Sequence, residues 1–296
     1  MQHIKKFTLI LVFTLLFVSQ SYAATVLIDS KALQNKLNNK DLVIIDMSDE
    51  TQFQRFHLPN ALYLPYRAIN QSNKKRISKS IGSDNVVKLL SYMGITEKSD
   101  IVIYDDMGGL HASRLYWELE RLGHKKLAIL DGGLVSWVLR HYKVTNKTVN
   151  PIKATYTPSK STFNTLATLA DITAASKDSK TVILDVRSKE EYYGNPKNRR
   201  SGHVPGAKWF PWQQSVNFED GFKQQKSDDI LKNLQAVGVT DKNAEVIVYC
   251  QSGHRASQTY MTLKNLGFTK VRLYDGSMAE YGQALSSPLI KGANPK

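Results

Sequence analysis

The chain contains one cysteine, Cys250, and its neighbours are residue types that would make a thiol reactive. It stands in the run Tyr249-Cys-Gln-Ser-Gly-His-Arg-Ala-Ser257. A short β-branched stretch, 246–249, delivers the cysteine, and a helical pattern follows from residue 256. Backbone N–H groups in so tight a turn can converge into an anion nest. Gly253 permits the backbone conformations that such a turn requires. The start of the following helix adds unpaired N–H donors and partial positive charge. His254 and Arg255 add side-chain donors. These surroundings favour the thiolate, which is the nucleophilic form of cysteine. The same nest would hold an anion carried on that sulfur. A lone cysteine can also be no more than a small buried apolar residue. A second cation, Arg187, closes the run Leu184-Asp-Val-Arg187 at the end of another short apolar stretch. It reads either as an anion-binding residue beside the nucleophile or as one half of a surface salt bridge.

The elements that position these groups occur twice. The first copy has Asp41-Leu-Val-Ile-Ile-Asp46, His57-Leu-Pro-Asn-Ala61, Ile101-Val-Ile-Tyr-Asp105 and Leu130-Asp-Gly-Gly133. The second has Thr181-Val-Ile-Leu-Asp185, His203-Val-Pro-Gly-Ala207, Val246-Ile-Val-Tyr-Cys250 and Leu273-Tyr-Asp-Gly276 in the same order. Each copy is the size of a domain, far longer than a solenoid repeat of about 20–50 residues. Within each, apolar runs of four or five residues suit strands buried on both faces. Helical patterns lie between them at 84–93, 112–122, 227–237 and 256–266. That alternation predicts two tandem α/β domains, each a mostly parallel sheet flanked by helices. Ligands of such sheets bind beyond the carboxyl ends of the strands, where Cys250 stands. The expected division is a signal peptide at 1–23, an N-terminal domain at 25–145, a linker at 146–164 and a C-terminal domain at 165–290.

Cys250-Gln-Ser-Gly-His-Arg255 resembles the six-residue active-site loop of the rhodanese family. Leu184-Asp-Val-Arg187, Gly202-His-Val-Pro-Gly-Ala207 and Tyr274-Asp-Gly-Ser277 resemble the segments that accompany that loop. The resemblance implies a thiosulfate sulfurtransferase working by a ping-pong cycle. Cys250 would take the outer sulfur of thiosulfate, release sulfite, and pass the sulfur from a persulfide to cyanide, a thiol or a protein acceptor. Arg187 matches the family's substrate-side arginine and would meet the sulfonate. Gln251, Ser252, Gly253, His254 and Arg255 would line the bound anion. No metal or other cofactor is implied. The N-terminal copy has Asp105 where Cys250 stands, in a loop one residue longer. A carboxylate cannot carry sulfane sulfur, so the resemblance makes that half inactive. Asp185 and Asp275 read as structural acceptors of N–H bonds. Trp209, Phe210 and Trp212 read as core or interdomain packing residues, with lining of the pocket mouth as the alternative.

Three rival readings differ in stated ways. Cysteine phosphatase loops place five residues between cysteine and arginine, whereas four separate Cys250 from Arg255. A 3-mercaptopyruvate sulfurtransferase typically carries Cys-Gly-Ser-Gly-Val-Thr, from which Gln251, His254 and Arg255 depart. A non-catalytic sulfur-relay module would use the same loop and differ only in its acceptor.

Composition sets the remaining bounds. Hydrophobic residues make up 42% and charged residues 22% of 296, which excludes a fibre or a disordered chain. Lys5 and Lys6, an apolar run at 7–18 and Ser21-Tyr22-Ala23 form a secretory signal pattern. The apolar run is shorter than the roughly 20 residues of a membrane-spanning helix. The mature protein is therefore expected to be exported, periplasmic and not stably inserted in a membrane. Loss of the signal removes two lysines and no acid, lowering the formal charge from +14 to +12. That balance attracts anions. In an exported protein a small anionic substrate or an anionic membrane surface fits it better than nucleic acid, and simple solubility accounts for it equally well.

Overall fold

The computed structural model describes residues 26–161, 163–198 and 200–294. The expected signal peptide lies outside them. The short β-branched runs form two five-stranded sheets, and every pairing within them is parallel. In the N-terminal sheet the spatial order is Leu27–Ile28, Leu127–Leu130, Asp100–Tyr104, Leu42–Asp46, Leu62–Tyr63. In the C-terminal sheet it is Leu166–Ala167, Lys270–Tyr274, Glu245–Tyr249, Val182–Asp185, Lys208–Trp209. The two orders are the same when each strand is matched to its counterpart. Parallel neighbours need crossover connections, and the helices between the runs supply them.

The helix that follows the Cys250 loop spans His254–Asn265, and its N-terminal counterpart spans Leu110–Arg121. Each begins two residues earlier than the apolar pattern predicts, because a left-handed glycine caps it: Gly253 at φ 79° and Gly109 at φ 84°. His254 and Arg255 are therefore first-turn helical residues. Both helices are buried almost all round, since they pack against each other across the domain boundary. One continuous core results. It joins Ile103, Leu115 and Trp117 of the first domain to Val248, Cys250 and Tyr260 of the second. A fully buried large apolar side chain contributes about 1.5–3 kcal/mol, so this shared core makes the two domains one unit.

Two antiparallel hairpins fasten the pair. Asn70–Ser72 with Ser78–Ser80 leaves the N-terminal domain, and Val216–Asn217 with Lys223–Gln224 leaves the C-terminal domain. The Ser80 N–H donates to Asp275 Oδ2 at 2.8 Å, and the Gln224 N–H donates to Asp131 Oδ1 at 2.7 Å. Each hairpin thus clasps the turn after the last strand of the other domain.

The polar stretch read as a linker is laced to the N-terminal domain. Ala154 N–H donates to the Ser91 carbonyl at 2.9 Å, and Ser159 N–H donates to the Leu122 carbonyl at 2.9 Å. Tyr156 is buried and its hydroxyl meets His124 Nδ1 at 3.0 Å. Among the described residues no helix is long and apolar enough to cross a membrane.

Candidate active site

Cys250 closes the strand Glu245–Tyr249 and is 1% exposed. The strand end is pinned from beneath. Tyr249 hydroxyl donates to Asp185 Oδ2 at 2.7 Å and accepts the Val204 N–H at 3.1 Å. The N-terminal domain repeats the arrangement, with Tyr104 donating to Asp46 and accepting the Leu58 N–H.

The loop itself hangs on Ser277. That hydroxyl accepts the N–H groups of Cys250 at 3.1 Å and Gly253 at 3.0 Å, and donates to the Tyr274 carbonyl at 2.8 Å. Met278 N–H then holds the Cys250 carbonyl at 3.0 Å, and Ala279 N–H holds the Gln251 carbonyl at 2.9 Å. Ser277 sits at φ 49°, where its N-terminal counterpart is Gly133 at φ 50°. A serine in this left-handed region is disfavoured by its Cβ, and here its hydroxyl organises the cysteine loop.

The N-terminal copy shows what the nest holds. Asp105 Oδ1 accepts the N–H groups of Met107 and Gly109, each at 2.9 Å. Its Oδ2 accepts those of His111 at 2.8 Å and Ala112 at 2.9 Å. The counterparts of His111 and Ala112 are Arg255 and Ala256. Their N–H groups have no acceptor among the described residues.

The other predicted site residues divide. Gln251 is exposed, Ser252 is half-buried and Gly253 is buried. A Cβ on Gly253 would lie 2.9 Å from both Arg114 Nη1 and Asp275 Oδ1, so glycine is needed there for space as well as for φ. Arg255 is close enough to Cys250 to couple with its charge, but the guanidinium is held by Glu191 in a two-point pair of 2.7 and 2.8 Å. Burial works against charge on Glu191. The Arg255 pair and the Ser188 N–H outweigh it and hold the carboxyl below its ordinary range.

Arg187 and His254 each have partners within the protein. Arg187 is 4% exposed, and two of its three guanidinium nitrogens are engaged within its own domain. Its Nε and Nη2 bind Asp185 at 2.9 and 2.5 Å, and Nη2 also donates to the Gly202 carbonyl at 2.8 Å. It braces the strand end that carries Tyr249. His254 does not lend a positive charge. Its ring packs 4.5 Å from Tyr66 and 5.0 Å from His111, and its Nε2 is buried without a hydrogen-bond partner. Burial, and then the charges of His111, Arg114 and Arg255, push its pKa down to about 3. The ring is neutral at physiological pH.

Asp275 is structural as expected, but its N–H donor comes from Ser80 of the other domain. Phe210 is in the core. The Trp209 indole donates to the Arg187 carbonyl at 3.0 Å, and Trp212 packs against the shared core.

Sequence reasoning missed the contribution of the N-terminal domain. Tyr66 and His111 wall the site beside His254. Arg114, wholly buried, reaches Asp275 at 2.6 Å under Gly253. Burial raises the Tyr66 phenol well above its ordinary range, and nearby Cys250 adds to this against the pull of Arg114. Tyr66 therefore keeps its proton. Among the described residues no cluster of three or more His, Cys, Asp or Glu is arranged to hold a metal ion.

Fold and site together define a class: a tandem parallel-sheet α/β protein whose second copy places one thiol in a backbone nest and whose first copy fills that nest with a carboxylate. The rhodanese-like domain family matches residues 29–140 and again 168–284. The chain belongs to the rhodanese family. It is 31% identical over 279 residues to a Mycobacterium bovis protein provisionally named thiosulfate sulfurtransferase 1, covering 90% of this chain and 98% of that one. A Haloferax volcanii protein provisionally named thiosulfate sulfurtransferase is 28% identical over 290 residues, covering 93% and 99%. Two solved structures share the fold. YnjE has a TM-score of 0.79 at 19% identity, covering 91% of this chain and 69% of YnjE. The anaerobic ergothioneine biosynthesis enzyme of Chlorobium limicola, solved with trimethyl histidine, has a TM-score of 0.81 at 17% identity, covering 92% and 72%.

Proposed function

We propose that the protein is a thiosulfate sulfurtransferase that carries sulfane sulfur as a persulfide on Cys250. The observation that carries this reading is the filled nest of Asp105. Its carboxylate oxygens stand two bonds from Cβ and accept four backbone N–H groups. The terminal sulfur of a persulfide would also stand two bonds from Cβ, and it carries the same charge. The N-terminal domain thus presents a fixed carboxylate image of the loaded state of Cys250, and is itself without a sulfur carrier.

In the first half-reaction the Cys250 thiolate attacks the outer sulfur of thiosulfate. The new S–S bond forms as the old one breaks, and sulfite leaves with the electron pair. The persulfide anion settles against the open N–H groups of Arg255 and Ala256 and the positive end of their helix. In the second half-reaction cyanide or a thiolate attacks the terminal sulfur. Thiocyanate or a new persulfide departs, and the Cys250 thiolate returns. Neither half needs a cofactor or an external oxidant. Arg255 supplies positive charge beside the sulfur, and Glu191 fixes its position. The homologues' provisional name supports thiosulfate as donor. The segment before residue 24 supports export to the periplasm, which N-terminal sequencing of the secreted protein tests.

Incubation with thiosulfate should add one sulfur atom to the intact mass. The adduct should be absent in Cys250→Ser and discharged by cyanide as thiocyanate. An intact protein that gains no sulfur from any sulfane donor refutes the proposal. A strong rate preference for 3-mercaptopyruvate over thiosulfate would keep the chemistry and change the donor.

A further inference from the structure

We infer that the hairpin Asn70–Ser72 and Ser78–Ser80 is a docking arm for an acidic, thiol-bearing polypeptide that takes sulfur from Cys250; this rests on the sulfur-transfer reading above. The hairpin is anchored at both ends of the site's rim. At its base, Asn70 Nδ2 donates to the Tyr66 carbonyl at 3.0 Å, and Tyr66 packs on His254. At its tip, Gln283 Nε2 donates to the Lys75 carbonyl at 2.9 Å and to the Ala279 carbonyl at 2.8 Å. Ala279 N–H in turn holds the carbonyl of Gln251, the exposed neighbour of Cys250. The tip is therefore tied through Gln283 and Ala279 to Gln251, the exposed residue directly after Cys250.

The charge of this arm sets it apart from its sibling hairpin. Residues 70–80 contain Lys74, Lys75, Arg76 and Lys79 and no acid. Lys79 is paired with Glu280 across the boundary. Lys74, Lys75 and Arg76 are exposed, and none forms an ion pair with a described residue. The sibling hairpin, residues 216–224, occupies the equivalent position on the other side and carries Glu219, Asp220 and Lys223. The repeat's architecture thus does not require a basic tip; only the arm beside the cysteine has one. The tip is also preorganised. The Asn73 side chain accepts the N–H groups of Lys75 at 2.9 Å and Ile77 at 3.1 Å, and Ile77 is buried. A small dianion needs no such arm, since the overall charge already attracts it. Three neighbouring cations along a fixed turn match several carboxylates on one partner surface.

The test uses three cysteine peptides flanked by four glutamates, four glutamines or four lysines. Protein loaded with thiosulfate is mixed with each, and loss of the sulfur adduct is followed by mass. At low salt the glutamate peptide should unload wild type at least about tenfold faster, relative to the lysine peptide, than it unloads Lys74→Glu/Lys75→Glu. That variant leaves the left-handed Arg76 backbone untouched. The advantage should vanish near 1 M salt, where charges are screened beyond about 3 Å. Discharge by cyanide should be the same in both proteins. Anisotropy of a labelled glutamate peptide with serine for cysteine reads docking without sulfur transfer, and should weaken in the variant. Equal peptide ratios in the two proteins overturn the docking arm and leave sulfur transfer standing. Normal anisotropy with no sulfur adduct from any donor overturns the sulfur-transfer reading instead. Charge-dependent binding to phosphatidylglycerol vesicles without any peptide preference replaces the polypeptide with a lipid surface.

Discussion

Arg114 and Asp275 meet across the domain boundary with 2.6 Å between Nη1 and Oδ1, and their side chains are 0% and 7% exposed. The pair lies against Gly253, and Asp275 also holds the Ser80 N–H. Removing one partner of a buried ion pair leaves the other charge desolvated and alone, which costs about 3–5 kcal/mol. Arg114→Met should lose stability of that order. Arg114→Met/Asp275→Asn should regain most of it, because asparagine still accepts from Ser80 and no lone charge remains. Urea unfolding of the three proteins checks this. A double variant as unstable as the single one would show that the guanidinium's packing matters more than its charge.

Asp105 satisfies four N–H groups of its own loop, two of them at a helix start. Asp105→Ala leaves those donors without their acceptor, and stability should fall by at least about 2 kcal/mol. Sulfur transfer per folded molecule should be unchanged, since the carboxylate's four partners are all backbone N–H groups of its own loop. Thermal unfolding and a steady-state thiocyanate assay measure the two effects separately. A large loss of turnover in a fully folded variant would give the N-terminal nest a part in catalysis.

His254 has its pKa lowered from 6.5 to about 3 in the folded protein. The unfolded chain binds this proton below about 6.5, and the native state refuses it until the pH nears 3. Between those limits the unfolded state carries the extra proton, so stability falls as the pH drops. His254→Phe keeps a ring against Tyr66 and His111 but cannot titrate. Its stability should decline less steeply than that of wild type between pH 6.5 and 4. Its rate profile between pH 6 and 8 should keep the wild-type shape, because the native ring stays neutral throughout. Parallel stability curves for the two proteins would contradict a depressed histidine.

Which parts of this site can be read from the chain follows from where each residue's partners lie. The duplicated strands and the Cys250 turn are legible because their signals are local: buried β-branched runs, a glycine at the cap, a helix directly after. Arg187 was legible in principle. Asp185 lies two residues before it, and alternate residues of an extended chain share a side, so their pairing needs no tertiary information. His254 is different. Its type is visible in sequence, but its charge is set first by burial, against Tyr66 and His111 of the other domain, and then by the charges of His111, Arg114 and Arg255. Ser277 gave a partial signal, since it ends a segment resembling the family's. Nothing local shows its left-handed backbone or the two N–H groups it binds. Arg114 reads as one polar residue on a helix, and only the packing of that helix on His254–Asn265 takes it to Asp275.

Arg187 gives the sharpest contrast between a binding role and a bracing role. A residue that only binds thiosulfate would, when removed, raise KM and leave the fold intact. The observed guanidinium instead neutralises a fully buried Asp185 and ties it to the Gly202 carbonyl. Arg187→Ala should therefore lose about 3–5 kcal/mol of stability. Because Asp185 also accepts from Tyr249, the residue before the thiol, the damage should reach kcat at saturating thiosulfate as well as KM. Arg187→Ala/Asp185→Ala removes the stranded carboxylate and should recover part of the stability without restoring kcat, since Tyr249 still lacks its acceptor. Unfolding midpoints and full saturation curves for both variants decide the matter. A fully stable Arg187→Ala with an altered KM alone would return this arginine to the substrate.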